Sequence, residues 1–245
     1  MAAGSSEKGR TQIVLGRVRQ SDVTTRTVIP STRRPEFAPY NRIAESIGTS
    51  RKAPTLHVHR GEEVALYVLE GAVDHLGGDG SRSVLGQGAV LLATAGTELR
   101  HGFTVASGRT ARWFSVVTTL AEPSATSAVT VAELDSRDRP PGPEGAVVRS
   151  LIGDDGVVRA ASGSMLKHLE FFGAGTAFLP LGARRRGFAY VLHGEGRIHD
   201  APVSAGQAAL LEPQAGVAFG GNPGFSVLFG SALLDAPAGA APRPV

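Results

Sequence analysis

The sequence has no cysteine among its 245 residues, and this absence narrows the chemistry of the protein. Disulfides, thiolate metal ligands and cysteine nucleophiles are excluded, so a bound metal must use histidine, carboxylate, carbonyl or water. No apolar run approaches the ~18–20 residues of a membrane span, and the N-terminus MAAGSSEKGR lacks the apolar core of a signal peptide. We therefore expect a cytoplasmic protein with no membrane partner.

Aromatic residues make up only 6% of the chain, and long helical patterns are missing. Glycine, at 32 residues, and proline, at 15, suit many short strands joined by tight turns. The net charge is +3, but the basic residues are mostly scattered. The one tight cluster, Arg184 to Arg186, is interpreted as a solvated loop, and nucleic acid is an improbable partner.

The chain divides into two halves of similar composition. Residues 11–134 and 146–234 each contain several short apolar runs of the strand type, and a linker or exposed loop at residues 135–145 separates them. The termini, residues 1–10 and 235–245, are expected to be disordered. One modest helical candidate, SAVTVAEL, precedes the linker.

An internal repeat relates the two halves. ALYVLEGAVDH, beginning at Ala65, matches AYVLHGEGRIH, beginning at Ala189, and Tyr67 and Tyr190 anchor an offset of 123 residues. A glycine then leads a second apolar strand in both copies, at Gly88 and Gly206. A repeat of this length predicts duplicated domains, here two tandem all-β barrels.

The first copy carries a candidate metal site. His57 and His59 are one residue apart on a predicted strand, so their side chains share a face. Glu63 follows four residues later, and His101 follows a glycine-containing turn on a later strand. Imidazoles with one carboxylate suit Fe(II), Mn(II), Ni(II), Cu(II) or Zn(II). Glu63 is also a candidate catalytic base.

The second copy has no such ligands. The offset of 123 places Pro180, Gly182 and Arg186 opposite His57, His59 and Glu63, and the counterpart of His101 falls within residues 217–222, VAFGGN. Because one barrel of a duplicated pair lacks these histidines, we expect them to serve function. Among the other candidate residues, His75 is expected in a solvated turn, with a place lining the pocket as the alternative. Trp113 and Phe114 are expected in the core, and His168, His193 and His199 in structural or surface positions.

The residues HVHRGEEVALYVLEGAVDH, followed by GAVLLATAGTELRH, resemble the N-terminal motif pair of the pirin family within the cupin superfamily. The resemblance covers about residues 12–234 and implies two tandem cupin barrels of the double-stranded β-helix, or jelly-roll, type. It also implies one metal, usually iron, in the N-terminal barrel, held by His57, His59 and His101.

One position departs from the family pattern. Pirins usually place a fourth ligand, a glutamate, two residues after the third histidine, where this chain has Phe103. The fourth ligand is then Glu63, which we favour, or it is missing; Glu98 is a remote candidate.

The resemblance implies an Fe(II)-type dioxygenase, similar to quercetin 2,3-dioxygenase, that acts on a flavonol-like, polyphenolic or enol small molecule. Two alternatives stay open. One is a non-oxidative cupin enzyme, an isomerase, cyclase or hydrolase acting on a natural product. The other is a metal- or redox-dependent regulatory module that binds an unnamed protein partner.

Overall fold

Short alternating runs punctuated by glycine fold into strands throughout the computed structural model. The structure describes residues 11–21, 23–29, 37–49, 54–106, 110–122, 126–134 and 145–234. The predicted termini, at residues 1–10 and 235–245, and most of the predicted linker, residues 135–144, lie outside these ranges. Within them the chain forms strands and turns with no α-helix, and no segment has the length and apolar character of a membrane-crossing helix.

The strands of the first half are β1 (Thr11–Leu15), β2 (Arg17–Arg19), β3 (Val23–Ile29), β4 (Tyr40–Gly48), β5 (His57–His59), β6 (Glu62–Gly77), β7 (Arg82–Gly86), β8 (Ala89–Ala95), β9 (Leu99–Val105), β10 (Ala111–Thr119) and β11 (Ala128–Glu133). Those of the second half are β12 (Ala146–Ile152), β13 (Met165–Phe171), β14 (Gly175–Gly182), β15 (Arg185–His193), β16 (Glu195–Ile198), β17 (Ala201–Ser204), β18 (Gln207–Leu211), β19 (Gln214–Gly221) and β20 (Ser226–Leu233).

Each half pairs a larger sheet with a smaller one. The larger sheet of the first half runs β11-β8-β6-β10-β4-β3-β2, and its partner in the second half runs β1-β18-β15-β20-β13-β12. The long strand β6 bends from the larger sheet into a small one with β5, β9 and β7, which matches the second-half sheet β14-β19-β16-β17. The fold is therefore the expected all-β double cupin.

Strand β1 does not stay with its own half. It pairs with β18 at the edge of the second half's larger sheet, from Thr11↔Leu211 to Leu15↔Gln207. The division at residues 11–134 and 146–234 remains a prediction, with β1 as a segment that crosses it. The helical candidate SAVTVAEL was wrong: it contains β11, which pairs with β8 because its alternating valines favour an edge strand.

Buried aromatic residues join the two halves. Phe114 packs against Phe188 and Tyr190 with ring centroids 5.8 and 5.0 Å apart. Trp113 lies inside the first barrel, so both predicted core aromatics are buried. The interpretation of the arginine cluster needs correction, because Arg185 and Arg186 begin β15 and are half-buried; Arg186 pairs with Glu212 at 2.9 Å.

Candidate metal centre

Three histidines converge on strands β5 and β9 of the first barrel. His57 on β5 lies directly opposite His101 on β9, and His59 lies opposite Leu99, so strand pairing brings all three imidazoles to one face. Their ring centroids lie 4.9–5.1 Å apart in a near-equilateral triangle. One nitrogen of each ring lies within 4.8 Å of the other two. Such a triangle suits one face of a metal coordination sphere.

Two glycines give the backbone its path at this site. Gly61 has a φ of 61°, which permits the turn between β5 and β6. Position 102, beside His101, requires glycine, because a Cβ there would lie 2.6 Å from the carbonyl oxygen of Thr55. The HxHRG and HG motifs therefore let the β5 region lie close against β9.

Three buried ring nitrogens at this site are available to bind an ion. His59 Nε2 and both nitrogens of His101 are buried and have no hydrogen-bond partner among the described residues. His101 is fully buried, while His57 is exposed, so the site opens to solvent on the His57 side. A buried nitrogen without a hydrogen-bond partner lowers the stability of the folded protein. Such nitrogens are expected where a metal binds them.

Burial also sets the protonation of these rings. Desolvation, with neighbouring histidine charges, lowers the pKa of His101 to about 3. Desolvation also lowers the pKa of His57, with His59 as the next largest cause, and it lowers the pKa of His75. Neutral imidazole is the metal-binding form, so His57 and His101 are ready to bind at neutral pH.

Glu62 orients one of the histidines, and the sequence reasoning missed it. Its carboxylate accepts a hydrogen bond from His59 Nδ1 at 2.6 Å and another from Asn41 Nδ2 at 2.7 Å. This contact leaves His59 Nε2 directed away from the carboxylate for a metal, as metal-binding histidines usually are arranged. Strand alternation was the available signal, because Glu62 and Glu63 must point to opposite faces of β6.

The structure does not bring Glu63 to the three histidines, which corrects the favoured fourth ligand. Its buried carboxylate faces the second half, where it accepts hydrogen bonds from the backbone N–H groups of Ala161 and Ser162 at 2.8 and 3.2 Å. The Ser162 hydroxyl and Thr94 Oγ1 also donate to it. Glu63 therefore joins the two halves and is not placed to act as a base at the site.

Glu98 is no better placed. Its carboxylate pairs with Arg60 at 2.5 Å and Arg100 at 2.8 Å on the exposed surface. A separate cavity beside Glu63 lies between the halves, and none of the three histidines lines it. Among the described residues, the group whose ligand atoms lie within 4.8 Å of one another therefore consists of the three histidines, with no carboxylate.

Phe103 and His75 complete the surroundings. They are direct partners across β9 and β6, and the Phe103 ring lies 4.7 Å from that of His101. The expectation of a solvated turn for His75 was wrong, because it lies within β6, is 5% exposed, and has its ring 5.5 Å from that of His101. Its turn lies farther along, at residues 78–80.

Strand register gives the second barrel's counterparts more accurately than the sequence offset. Gly71 and Gly194 share a φ of 71°, and from them the pair His75↔Phe103 corresponds to Ile198↔Phe219. The pair His57↔His101 then corresponds to Leu179↔Val217. Counting two residues along β14, His59 corresponds to Leu181.

The predicted counterparts Pro180 and Gly182 are therefore one residue out of register. A one-residue slip matters in a strand because it moves every side chain to the opposite face. Leu179, Leu181 and Val217 are all buried in the apolar core of the second barrel. At the positions where the first barrel has imidazole side chains, the second barrel therefore has buried aliphatic side chains.

Comparisons with known proteins agree with this architecture. Residues 47–117 match the cupin domain family model. No curated protein matches the chain in sequence. Among solved structures, the fold is similar to that of GK1651 from Geobacillus kaustophilus, with a TM-score of 0.78 and 22% identity, covering 96% of this chain and 97% of that one.

Two further similar structures are those of a pirin and of a dioxygenase. The bacterial pirin YhhW from Escherichia coli, in complex with nickel(II), has a TM-score of 0.78 at 15% identity, over 91% of this chain and 99% of that one. Quercetin 2,3-dioxygenase from Acinetobacter baumannii has a TM-score of 0.77 at 15% identity, over 91% and 79%. The chain thus has the double-cupin fold, with a match to the cupin domain over residues 47–117. More particularly, its two-barrel structure is similar to that of a pirin.

Proposed function

We propose that the first barrel binds one divalent metal through His57, His59 and His101. We further propose that the protein is an Fe(II)-type dioxygenase acting on a flavonol-like, polyphenolic or enol small molecule. Iron is favoured over manganese, nickel, copper or zinc by the pirin resemblance. A similarly folded quercetin 2,3-dioxygenase supports the reaction class.

The observation that carries the metal proposal is the difference between the two barrels. Leu179, Leu181 and Val217 occupy the register positions of the three histidines and keep the second barrel packed. Histidines are therefore not needed to hold this fold together. Replacing hydrocarbon by imidazoles costs stability unless a ligand offsets it, because His59 and His101 carry buried nitrogens with no partner among the described residues.

The surrounding side chains have separate tasks in this proposal. Glu62 holds the proton on His59 Nδ1, which fixes the tautomer and ring orientation. Phe103 supplies an apolar wall beside His101, and the exposed side of His57 leaves an entrance for the substrate. A divalent metal bound here would supply the positive charge that lowers the pKa of a substrate hydroxyl and stabilises its anion.

The test uses purified protein loaded with Fe(II) under anaerobic conditions. Oxygen consumption and product formation are measured after adding quercetin, and metal content is measured in parallel. We expect His57→Ala and His59→Ala to lose most of the metal and the oxygen uptake. His199→Asn, in the second barrel, should keep both. Wild type that binds no metal, or consumes no oxygen with any flavonol or polyphenol, contradicts the proposal.

Phe103 favours a second candidate, a non-oxidative cupin enzyme. Three neutral histidines leave the full +2 charge of a metal uncompensated, whereas a carboxylate ligand would reduce it to +1. The greater charge suits polarisation of a carbonyl or hydroxyl without electron transfer. Product that forms equally with and without oxygen would select this candidate over the dioxygenase.

A further inference from the structure

His75 occupies the wall of the proposed metal pocket. It projects from the part of β6 that pairs with β9, directly opposite Phe103 and two residues from Gly77, the partner of His101. Its ring lies 5.2 Å from Phe103 and 5.5 Å from His101. The distance to His101 is close to those within the triangle of the three histidines.

One ring nitrogen of His75 makes no hydrogen bond within the described residues. Nε2 is buried and has no partner, whereas Nδ1 lies 3.5 Å from Ser83 Oγ. When the Ser83 hydroxyl donates to Nδ1, the ring proton resides on Nε2. His75 then presents an N–H donor, at 5% exposure, with nothing in the described residues to accept it.

The second barrel shows that packing does not require this histidine. Its equivalent pair is Ile198↔Phe219, so the aromatic partner is present in both barrels while the imidazole occurs only in the first. Ile198 and Phe219 are both buried in the apolar cluster of that barrel. An aliphatic side chain can therefore fill the place of His75 in this fold.

We propose that His75 Nε2–H donates a hydrogen bond to a small anionic ligand, an enolate or carboxylate, held beside the three histidines. The inference rests on the proposed metal site. His75 lies outside the group of nitrogens within 4.8 Å of one another, so it is assigned to the exogenous ligand and not to the metal. Phe103 has no polar atom to compete for that ligand.

The experiment measures azide binding to the Co(II)-loaded protein by its visible absorption. Azide is a small anion whose terminal nitrogen accepts a hydrogen bond. Loss of one hydrogen bond to a charged acceptor should weaken azide binding in His75→Leu by about tenfold or more. His75→Gln restores a donor and should recover most of the affinity. His199→Asn is the matched control in the second barrel and should bind azide as wild type does.

Cobalt affinity and thermal stability are measured on the same proteins. We expect cobalt affinity in His75→Leu to stay within about threefold of wild type, because the hydrogen-bond partner of His75 is Ser83 and not one of the three proposed ligands. Unchanged azide affinity in His75→Leu overturns the inference. A loss of cobalt as large as in His57→Ala overturns it as well, because His75 would then be a metal ligand.

These outcomes separate the inference from the proposed function. Absence of oxygen uptake with an intact His75 effect refutes the dioxygenase alone. An absent His75 effect with intact oxygen uptake refutes the inference alone. Wild type that takes up no cobalt refutes the metal site and the inference together.

Discussion

The adjacent residues Glu62 and Glu63 give a sharp test of the site, because they point to opposite faces of β6 and have different roles. Each is replaced by glutamine, which keeps the size and removes the charge. Glu62 contacts His59 on the pocket side of β6, whereas Glu63 contacts Ala161 and Ser162 on the opposite side. We expect Glu62→Gln to weaken metal binding and Glu63→Gln to leave it intact.

The magnitudes follow from the contacts. The His59 and Glu62 side chains are only 13% and 21% exposed, so their hydrogen bond is poorly screened by solvent. Loss of such a carboxylate partner typically weakens metal binding about tenfold to a hundredfold, which corresponds to about 1.4–2.8 kcal/mol. Glu62 does not pack between the halves, so thermal stability of the metal-free protein should change little.

Glu63→Gln should show the opposite pattern. The Glu63 carboxylate accepts hydrogen bonds from two backbone N–H groups and two hydroxyls. The glutamine side chain has an NH2 group in place of one carboxylate oxygen, so it cannot accept all four. One or two buried donors then lose their acceptor, at a cost of about 2–4 kcal/mol. For a domain of this size the midpoint of thermal unfolding should fall by about 5–15 °C.

The assay combines competition titration of Co(II) with calorimetry of the metal-free proteins. If Glu63→Gln loses metal and Glu62→Gln retains it, the assignment of faces on β6 is refuted and Glu63 returns as a ligand. If both variants lose metal equally, the contact between Glu62 and His59 does not orient the ring. A stable Glu63→Gln protein would refute its role between the halves.

Three further predictions concern other parts of the molecule. Burial lowers the pKa of His168 from 6.5 to about 4, so between these values the unfolded chain binds more protons. The free energy of unfolding should therefore have its full value above pH 6.5 and fall by about 3 kcal/mol towards pH 4. His168→Gln should reduce this loss when unfolding is measured as a function of pH. An unchanged pH dependence in the variant refutes the prediction. Phe103→Glu should tighten Co(II) binding at least about tenfold by adding a carboxylate beside the histidines, while destabilising the metal-free protein; unchanged affinity by titration contradicts it. Arg112→Met should cost about 3–5 kcal/mol in denaturant unfolding, because it leaves the largely buried Glu45 carboxylate without its cation, whereas Arg159→Met, in an exposed pair, should change stability by less than about 1 kcal/mol.

Local sequence pattern explains why most strands were predictable. Alternating apolar residues bounded by glycine or proline gave the strands that include β6, β8, β15 and β20. The pattern failed at β11, where a short valine-rich segment also fitted a helix. That segment is a strand because β8 offers it an unpaired edge, and pairing depends on the tertiary structure.

By itself, the sequence determined the repeat, the all-β class and the shared face of His57 and His59, whereas the pairing of β5 with β9 brought His101 to that face. These features follow from chain spacing: residues two apart in a strand share a face, and β5 carries His57 and His59 at that spacing. The absence of cysteine likewise limited the ligands of any metal to nitrogen and oxygen before the fold was known.

Only the tertiary structure decided which other side chains reach the pocket. The orientation of β6 in its two sheets places Glu62 against His59 and Glu63 against Ser162. It also buries His75 beside His101. A strand's two faces are equivalent until a second sheet covers one of them. Which neighbouring residue serves the metal site and which joins the two halves is therefore set by register and packing between distant strands, with no local signal to fix it.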